Sequence, residues 1–282
     1  MKLVRTINAQ QIVDAVAELV ITINYDIEED IVKSFKGSLK KEKSDAGKEV
    51  LELLIKNAQI ARAEQVPLCQ DTGTAVFFIR LGQDVHIKNG TLNDAITEGV
   101  RKGYQDGYLR KSMSDPFTRV NTGDNTPPII HLELISGDKL IITVAAKGGG
   151  SENMSRLKML TPAAGIAGIK EFTVETVKLG GPNPCPPLIV GVGVGGNFET
   201  CALLAKKALV RKFAEASPDE TVAKIEKELF AEINALGIGP AGYGGSTTAL
   251  AVHMEAMPCH IATLPVAVNL NCHSSRHGTI EL

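Results

Sequence analysis

Five short loops of this sequence bring together residues that could bind or transform a ligand. They are rich in polar side chains, glycine and proline, and three of them carry a cysteine. A predicted strand or helix borders each loop, and loops held on a rigid scaffold are where binding and catalytic residues concentrate. We therefore expect them to converge on one edge of a sheet. They are residues 67–74, 121–128, 147–153, 180–187 and 269–277.

The five cysteines fall into two groups. Cys69, Cys185 and Cys272 lie in the loops, far apart in sequence, so the CxxC spacing of zinc sites and ferredoxins is missing. Spacing alone leaves open that these three are unrelated loop cysteines. Cys201, inside a helical pattern, and Cys259, before a strand, are predicted to be buried and inert, because a free cysteine packs as a small hydrophobe.

Three cysteines that act together would allow one particular chemistry. A cubane iron–sulfur cluster held by three thiolates leaves one iron without a protein ligand, and that iron can act as a Lewis acid towards a hydroxyl or carboxylate. Removing water from a 2-hydroxy acid also needs a base and cations for the carboxylates. Asp71 and His260 are candidate acid–base groups and Arg110 is a candidate carboxylate clamp, although each residue type is also common in purely structural roles.

Two glycine-rich segments could serve a ligand or the fold. Residues 191–196 contain a GxGxxG pattern between a predicted strand and a helix, but the second strand with its acidic end, which a dinucleotide site requires, does not follow. Close packing of helix on sheet, or approach of backbone to a ligand, is the favoured interpretation. The glycines at 148–150, after Lys147, predict a backbone nest for an anion or a turn that closes a hairpin.

The elements that must position these loops indicate a mixed α/β fold. We expect mixed sheets flanked by helices and one catalytic domain over residues 1–282, of which residues 1–66 are mainly helical. Strands at 129–134 and 139–146, separated by a Ser-Gly-Asp turn, predict a hairpin. The other predicted strands are 74–81, 188–192, 247–255 and 261–268, and the predicted helices are 8–24, 27–35, 44–65, 92–109, 163–179, 198–213 and 219–236.

Composition excludes several classes of protein. The chain has 282 residues, 44% of them hydrophobic, and its longest apolar runs are well short of the roughly 20 residues of a membrane span. A net charge of -2, with 4% aromatic residues and no tryptophan, disfavours a nucleic-acid binder. An odd number of cysteines and an N-terminal stretch unlike a signal peptide predict a cytoplasmic protein without disulfides.

The ordered motifs resemble those of class I, iron–sulfur-dependent fumarate hydratases, and equally those of the alpha subunit of L(+)-tartrate dehydratase. The resemblance extends over essentially the whole chain. The segments that carry it are residues 69–73, 121–125, 147–151, 185–187 with the glycines that follow, and 260–272.

This resemblance implies a cofactor and a set of site residues. The family holds a 4Fe–4S cluster with one open iron by three cysteines, and the matching positions are Cys69, Cys185 and Cys272. The other two cysteines match no cluster position. The resemblance further implies catalytic roles for Asp71 and His260, and substrate-binding roles for Gln70, Arg110 and the backbone at Gly149.

The resemblance also implies a partner. Long single-chain members carry a second domain with further arginines, a lysine and the threonine usually proposed as the proton-abstracting base. This chain ends at Leu282, just beyond the third cysteine. We therefore expect an alpha subunit that needs a beta subunit, in an assembly of two alpha and two beta chains, and little activity from the chain alone.

The expected reaction is reversible addition of water to a four-carbon dicarboxylate, fumarate to L-malate. The alternative within the family is conversion of L(+)-tartrate to oxaloacetate, and this sequence does not decide between the two. A non-catalytic iron–sulfur sensor is the rival from another functional class. An NAD-dependent dehydrogenase built on the GxGxxG pattern ranks last.

Overall fold

The computed structural model describes residues 4–213 and 215–282. Its helices are α1 (Ala9–Tyr25), α2 (Glu29–Leu39), α3 (Asp45–Glu64), α4 (Leu92–Asp106), α5 (Gly149–Glu152), α6 (Gly165–Gly180), α7 (Phe198–Ala208) and α8 (Glu220–Asn234). Its strands are β1 (Arg5–Asn8), β2 (Thr74–Gly82), β3 (Val85–Lys88), β4 (Ile129–Ile135), β5 (Leu140–Lys147), β6 (Arg156–Leu160), β7 (Leu188–Gly196), β8 (Ala249–Cys259), β9 (Leu264–Asn271) and β10 (Arg276–Glu281). The predicted mixed α/β class is confirmed. Within the described ranges, no helix combines the length and apolar character needed to cross a membrane.

The chain forms two compact units. The first consists of the described part of Met1–Glu28 together with Ala58–Gly148 and Arg276–Leu282. The second consists of Glu29–Asn57 and Gly149–Ser275. Each unit draws on separate stretches of sequence, so the polar loops are distributed over both.

The first unit is built on a four-stranded sheet in the order β10-β5-β2-β4. Strand β2 runs antiparallel to β5 and parallel to β4, and β10 runs antiparallel to β5. Helices α1 and α4 pack together and share its core. Helix α1 forms where predicted: Asn8 caps it by accepting the N–H of Gln10 at 3.0 Å, and its apolar stripe, which includes Ile12 and Val16, is fully buried.

The predicted hairpin between β4 and β5 is wrong. Both strands form, but β2 lies between them and is hydrogen-bonded to each. The connecting loop crosses the end of β2, where Gly82 donates its N–H to Lys139 O at 2.8 Å and Asp84 donates its N–H to Gly137 O at 2.9 Å. Strand propensity located the two strands, but a buried apolar strand such as β2 needs a partner on both edges, and that pairing is not local in sequence.

The second unit contains a four-stranded sheet in the order β6-β9-β7-β8. Strand β7 is parallel to β8 and antiparallel to β9. The GxGxxG segment lies within β7 and not in a loop, and α7 packs directly on it. A Cβ on Gly193 would lie 2.0 Å from Cys201 O, and one on Gly191 would lie 2.2 Å from Ala205 O. The predicted close packing of helix on sheet is confirmed, and no phosphate-binding turn is formed by this segment.

Most predicted elements are present, with shifted ends. Ser44 caps α3 as expected, accepting the N–H of Gly47 at 3.2 Å, whereas α7 ends at Ala208, short of the predicted 213. The glycines at 148–150 lead into the single turn of α5 and do not close a hairpin. Four strands were not predicted: β1, β3, β6 and β10.

Candidate active site

The loop at residues 67–74 is held rigidly by buried hydrogen bonds in the first unit. The Thr72 hydroxyl is buried and donates to Arg110 O at 2.6 Å. The fully buried Tyr104 hydroxyl lies 2.7 Å from Thr72 O and 3.2 Å from Gly73 O. The backbone of this loop is therefore fixed from two sides before any ligand binds.

The predicted site loop at residues 121–128 supports the same backbone. Asn125 is completely buried, donates from Nδ2 to Gly73 O at 3.1 Å, and accepts the N–H of Ser112 on Oδ1 at 2.7 Å. Both ends of its amide are thus used within the protein. The geometry gives Asn125 a scaffolding role.

The side chains that the resemblance implicates lie at the surface of this rigid loop. Cys69 is partly exposed, and its Sγ lies 3.5 Å from Gln70 Oε1. Gln70 and Arg110 are both exposed. A thiol, an amide and a guanidinium are therefore accessible on or beside one fixed backbone, which is suitable for binding an anionic ligand.

Asp71 lies beside a buried arginine that the sequence analysis did not single out. Its Oδ1 accepts the N–H of Gly73 at 3.0 Å. A Cβ on Gly148 would lie 3.2 Å from Asp71 Oδ2 and 4.0 Å from Arg276 Nη2, so the missing side chain leaves room where these two groups approach. Arg276 is only 3% exposed and donates from Nη1 to Asn24 Oδ1 at 3.0 Å. Its position in the polar loop at 269–277 was the available signal.

A second buried cation, Lys147, was also missed. It ends β5, is 4% exposed, and donates from Nζ to Gly148 O at 3.3 Å. Burial raises the pKa of Tyr104, the positive charge of Arg276 lowers it, and the negative charge of Asp71 raises it. The charges of Arg276 and Asp71 therefore both act on the buried Tyr104 hydroxyl. Charged residues are mostly exposed, so their burial here is a feature of the site that sequence alone does not reveal.

Cys185 and Cys272 are brought together in the second unit. His273, which follows Cys272, donates its backbone N–H to Cys185 O at 3.3 Å, and its ring Nδ1 lies 3.1 Å from the same oxygen. The Cys185 side chain is exposed and that of Cys272 is partly exposed. Two of the three predicted ligands, far apart in sequence, therefore lie on adjacent backbone segments.

Gly149 lies in α5, close to the same cysteine loop. A Cβ on Gly150 would lie 3.8 Å from Asn183 O, and the Cys185 thiol lies 3.9 Å from that oxygen. Gly149 itself is exposed. The backbone of α5 is therefore accessible and lies near the loop that carries Cys185.

His260 occupies the exposed turn between β8 and β9. Its Nδ1 accepts the N–H of Ala262 at 3.1 Å, which leaves Nε2 to carry the proton in the neutral ring. Cys259 is exposed, and its thiol donates to Thr263 O at 3.2 Å, so the prediction that Cys259 is buried is wrong. The last four residues of β8, which end at Cys259, are all exposed. Cys201 is buried as predicted, and burial raises its pKa.

A comparison with known protein families identifies the chain. The family described as fumarate hydratase (Fumerase) matches residues 13–281. The chain belongs to this family. The match confirms the predicted family and the predicted class of enzyme, a hydro-lyase.

Curated relatives are similar over nearly their whole length. A putative L(+)-tartrate dehydratase subunit alpha from Methanocaldococcus jannaschii is 42% identical over 274 residues, covering 95% of this chain and 96% of the relative. The L(+)-tartrate dehydratase subunit alpha of Escherichia coli is 33% identical over 283 residues, covering 98% and 93%. That of Shigella sonnei is 33% identical over 281 residues, covering 97% and 92%.

The three cysteines that would hold the iron–sulfur cluster of this fumarate hydratase family member remain predicted ligands. In the described part of the chain, no group of three or more histidine, cysteine, aspartate or glutamate side chains is arranged as a metal site. The cysteines are nevertheless suitable donors, since none of the three proposed ligands is fully buried and Cys185 and Cys272 lie on adjacent segments. This donor chemistry fits an iron–sulfur cluster better than a hard cation, which prefers oxygen ligands.

Proposed function

We propose that this chain is the alpha subunit of a 4Fe–4S-dependent hydro-lyase that adds water to, or removes it from, a four-carbon dicarboxylate. Interconversion of fumarate and L-malate is the reaction we assign first. The observation that carries the proposal is the placement of Cys185 beside the Cys272 segment, through His273, in a chain of the fumarate hydratase family.

The proposed cluster ligands are Cys69, Cys185 and Cys272. A cluster held by three thiolates supplies, when bound, a Lewis-acidic iron that assists departure of hydroxide from a hydroxy acid. Support comes from the family resemblance for all three cysteines, and from their accessibility, since none of the three is fully buried. Cys201 is excluded from the set because its side chain, on α7, is completely buried.

The chain's own polar groups supply binding and proton handling. Asp71 is oriented by the N–H of Gly73, and its carboxylate is the group that we propose holds or accepts a proton. His260 has Nδ1 occupied as an acceptor, so neutral His260 offers Nε2–H as a donor. We propose that Gln70, Arg110 and the backbone at Gly149 bind the substrate carboxylates, since an exposed guanidinium is the side chain best matched to a carboxylate.

A partner subunit completes the proposed enzyme. The curated relatives are named as alpha subunits, which supports a heteromeric enzyme with a beta subunit. We propose an assembly of two alpha and two beta chains in which the proton-abstracting base lies on the beta chain. We place the enzyme in the reducing cytoplasm, where the thiols of the proposed cluster ligands stay reduced.

L(+)-tartrate is the second candidate substrate. The relatives at 42% and 33% identity are named as tartrate dehydratase subunits, and this supports dehydration of L(+)-tartrate to oxaloacetate by the same site. The two substrates share the four-carbon dicarboxylate skeleton and differ in their hydroxyl groups. The groups named above bind carboxylates, so they serve either substrate.

The test is anaerobic purification of the chain, alone and with its beta-type partner, followed by iron and sulfide analysis and electron paramagnetic resonance. We expect a cubane cluster, and turnover of fumarate or L(+)-tartrate only when the partner is present. Absence of a cluster after anaerobic reconstitution would refute the cofactor. Full activity of the isolated chain would refute the split active site, and a cluster without turnover of either substrate would favour a sensor.

A further inference from the structure

His273 makes two hydrogen bonds to one carbonyl oxygen. Its backbone N–H and its ring Nδ1 lie 3.3 Å and 3.1 Å from Cys185 O. A carbonyl oxygen can only accept, so Nδ1 must carry a proton and act as the donor. His273 therefore binds the main chain of Cys185 in two places, and it is itself the residue after Cys272.

The residue that His273 holds has an unusual backbone conformation. Cys185 has a φ of +57°, in the left-handed region that side-chain-bearing residues seldom adopt. Such a conformation persists only where surrounding contacts fix it. The N–H of Cys185 donates to Pro182 O at 3.0 Å, and its carbonyl is the one that His273 binds. The direction of the Cys185 thiol thus depends on the hydrogen bonds that the N–H and the C=O of Cys185 make.

We propose that His273 is a positioning residue that holds the Cys185 main chain so that its thiol remains next to Cys272 and retains the cluster. The inference rests on the proposed function for the identity of the bound group. His273 acts through Cys185, by donating from Nδ1, and does not bind the metal itself. A histidine that served only general stability would have no need to place both of its donors on one residue.

The test compares three variants of the full-length chain, purified anaerobically. H273A removes the ring donor but keeps the backbone N–H, and H273N restores a donor, since Asn Nδ2 occupies nearly the position of histidine Nδ1. H86A is the matched control, because His86 is exposed on β3. Hydrogen exchange of residues 182–188 is measured on the metal-free chain, and iron loss to a chelator and the paramagnetic resonance spectrum on the loaded chain.

Loss of the hydrogen bond from the His273 ring should make local opening of the backbone at Cys185 easier. In H273A we therefore expect the Cys185 amide to exchange, and iron to be lost, about three- to tenfold faster than in wild type, the range for loss of one hydrogen bond. H273N should restore both rates to near the wild-type values, and H86A should change neither. Unchanged exchange in H273A would overturn the clamp. Faster exchange with unchanged iron loss and spectrum would overturn its role in retaining the cluster.

Two further outcomes separate this inference from the proposed function. If the wild-type chain takes up no cluster, the proposed function fails and the role in cluster retention fails with it, while exchange still reports whether the clamp exists. If wild type is loaded and H273N behaves like H273A although both unfold at the wild-type temperature, donation from Nδ1 is overturned.

Discussion

A single buried carboxylate, Glu42, joins two distant loops of the second unit. It is 4% exposed, and its Oε1 accepts the backbone N–H groups of Lys43 at 2.8 Å, Ser44 at 3.0 Å and Ser246 at 2.8 Å. The Ser246 hydroxyl lies 3.2 Å from the same oxygen. The connector between α2 and α3 is thereby tied to the loop before β8. We predict that replacing Glu42 by glutamine destabilises the protein strongly at neutral pH.

The size of the effect follows from the pKa of Glu42. Burial alone raises this pKa, but the hydrogen bonds from Ser246, Ser44 and Lys43 outweigh burial and lower it to about 2. A carboxyl whose pKa falls from its ordinary value of 4.5 to about 2 on folding contributes about 3 kcal/mol to the free energy of unfolding. Because the folded pKa is the lower one, this contribution is complete above about pH 4.5 and is lost as the pH falls towards 2.

The assay is urea unfolding of wild type and E42Q at about pH 7 and about pH 3.5. We expect E42Q to be less stable by about 3 kcal/mol at the higher pH and by about 2 kcal/mol at the lower pH, because at the lower pH the Glu42 carboxyl of the unfolded wild-type chain is largely protonated. E52Q, an exposed position on α3, is the matched control and should change stability by less than about 0.5 kcal/mol. The reasoning would be refuted if the difference in unfolding free energy between wild type and E42Q were small, or if it were larger at the lower pH.

Three other predictions test the packing, the scaffold and the cysteine assignment. G193A should lower the free energy of unfolding in urea by about 1–3 kcal/mol, because its Cβ would lie 2.0 Å from Cys201 O. The control G37A has nothing near its Cβ and should not lower it. Equal effects of the two substitutions would contradict the packing argument. N125A should cost about 1–3 kcal/mol by the same measurement, since the Ser112 N–H and Gly73 O each lose one hydrogen bond, and a neutral effect would exclude the scaffolding role. Iron analysis after anaerobic purification should find no cluster when serine replaces any one proposed ligand and full content in C201S, and loss in C201S would refute the assignment. The ligand positions are Cys69, Cys185 and Cys272.

The sequence predicted best those parts of the fold that local patterns determine. Helix α1 was found because its apolar residues recur at helical spacing and a single face is buried. A different local pattern, a short run of apolar residues, located the strands β2, β7 and β9. The pairing of β4 with β2 could not be predicted, because strand order depends on contacts between residues far apart in sequence.

The site was predicted unevenly for a related reason. Motif resemblance predicted roles for accessible residues such as the partly exposed Cys69 and the exposed His260, whose types match the family. Lys147 and Arg276 escaped notice because charged residues are assumed to be solvated unless a structure shows otherwise. Asn125 lies in a loop that the sequence predicted to be part of a ligand site, yet both polar ends of its side chain form hydrogen bonds with the backbone. A polar loop near an active site therefore contains two kinds of residue, and sequence cannot separate those that face the ligand from those that hold the loop.

Gly148 shows how these two kinds of residue depend on each other. The glycine triplet suggested an anion-binding nest, a role for backbone N–H groups. The structure gives Gly148 a different role: the space its side chain would fill lies within 3.2 Å of Asp71 Oδ2 and 4.0 Å of Arg276 Nη2. A Cβ there would press on the Asp71 carboxylate, which would have to shift by a few tenths of an ångström. A glycine with an ordinary backbone conformation thus leaves space between the buried guanidinium of Arg276 and the proposed acid–base group.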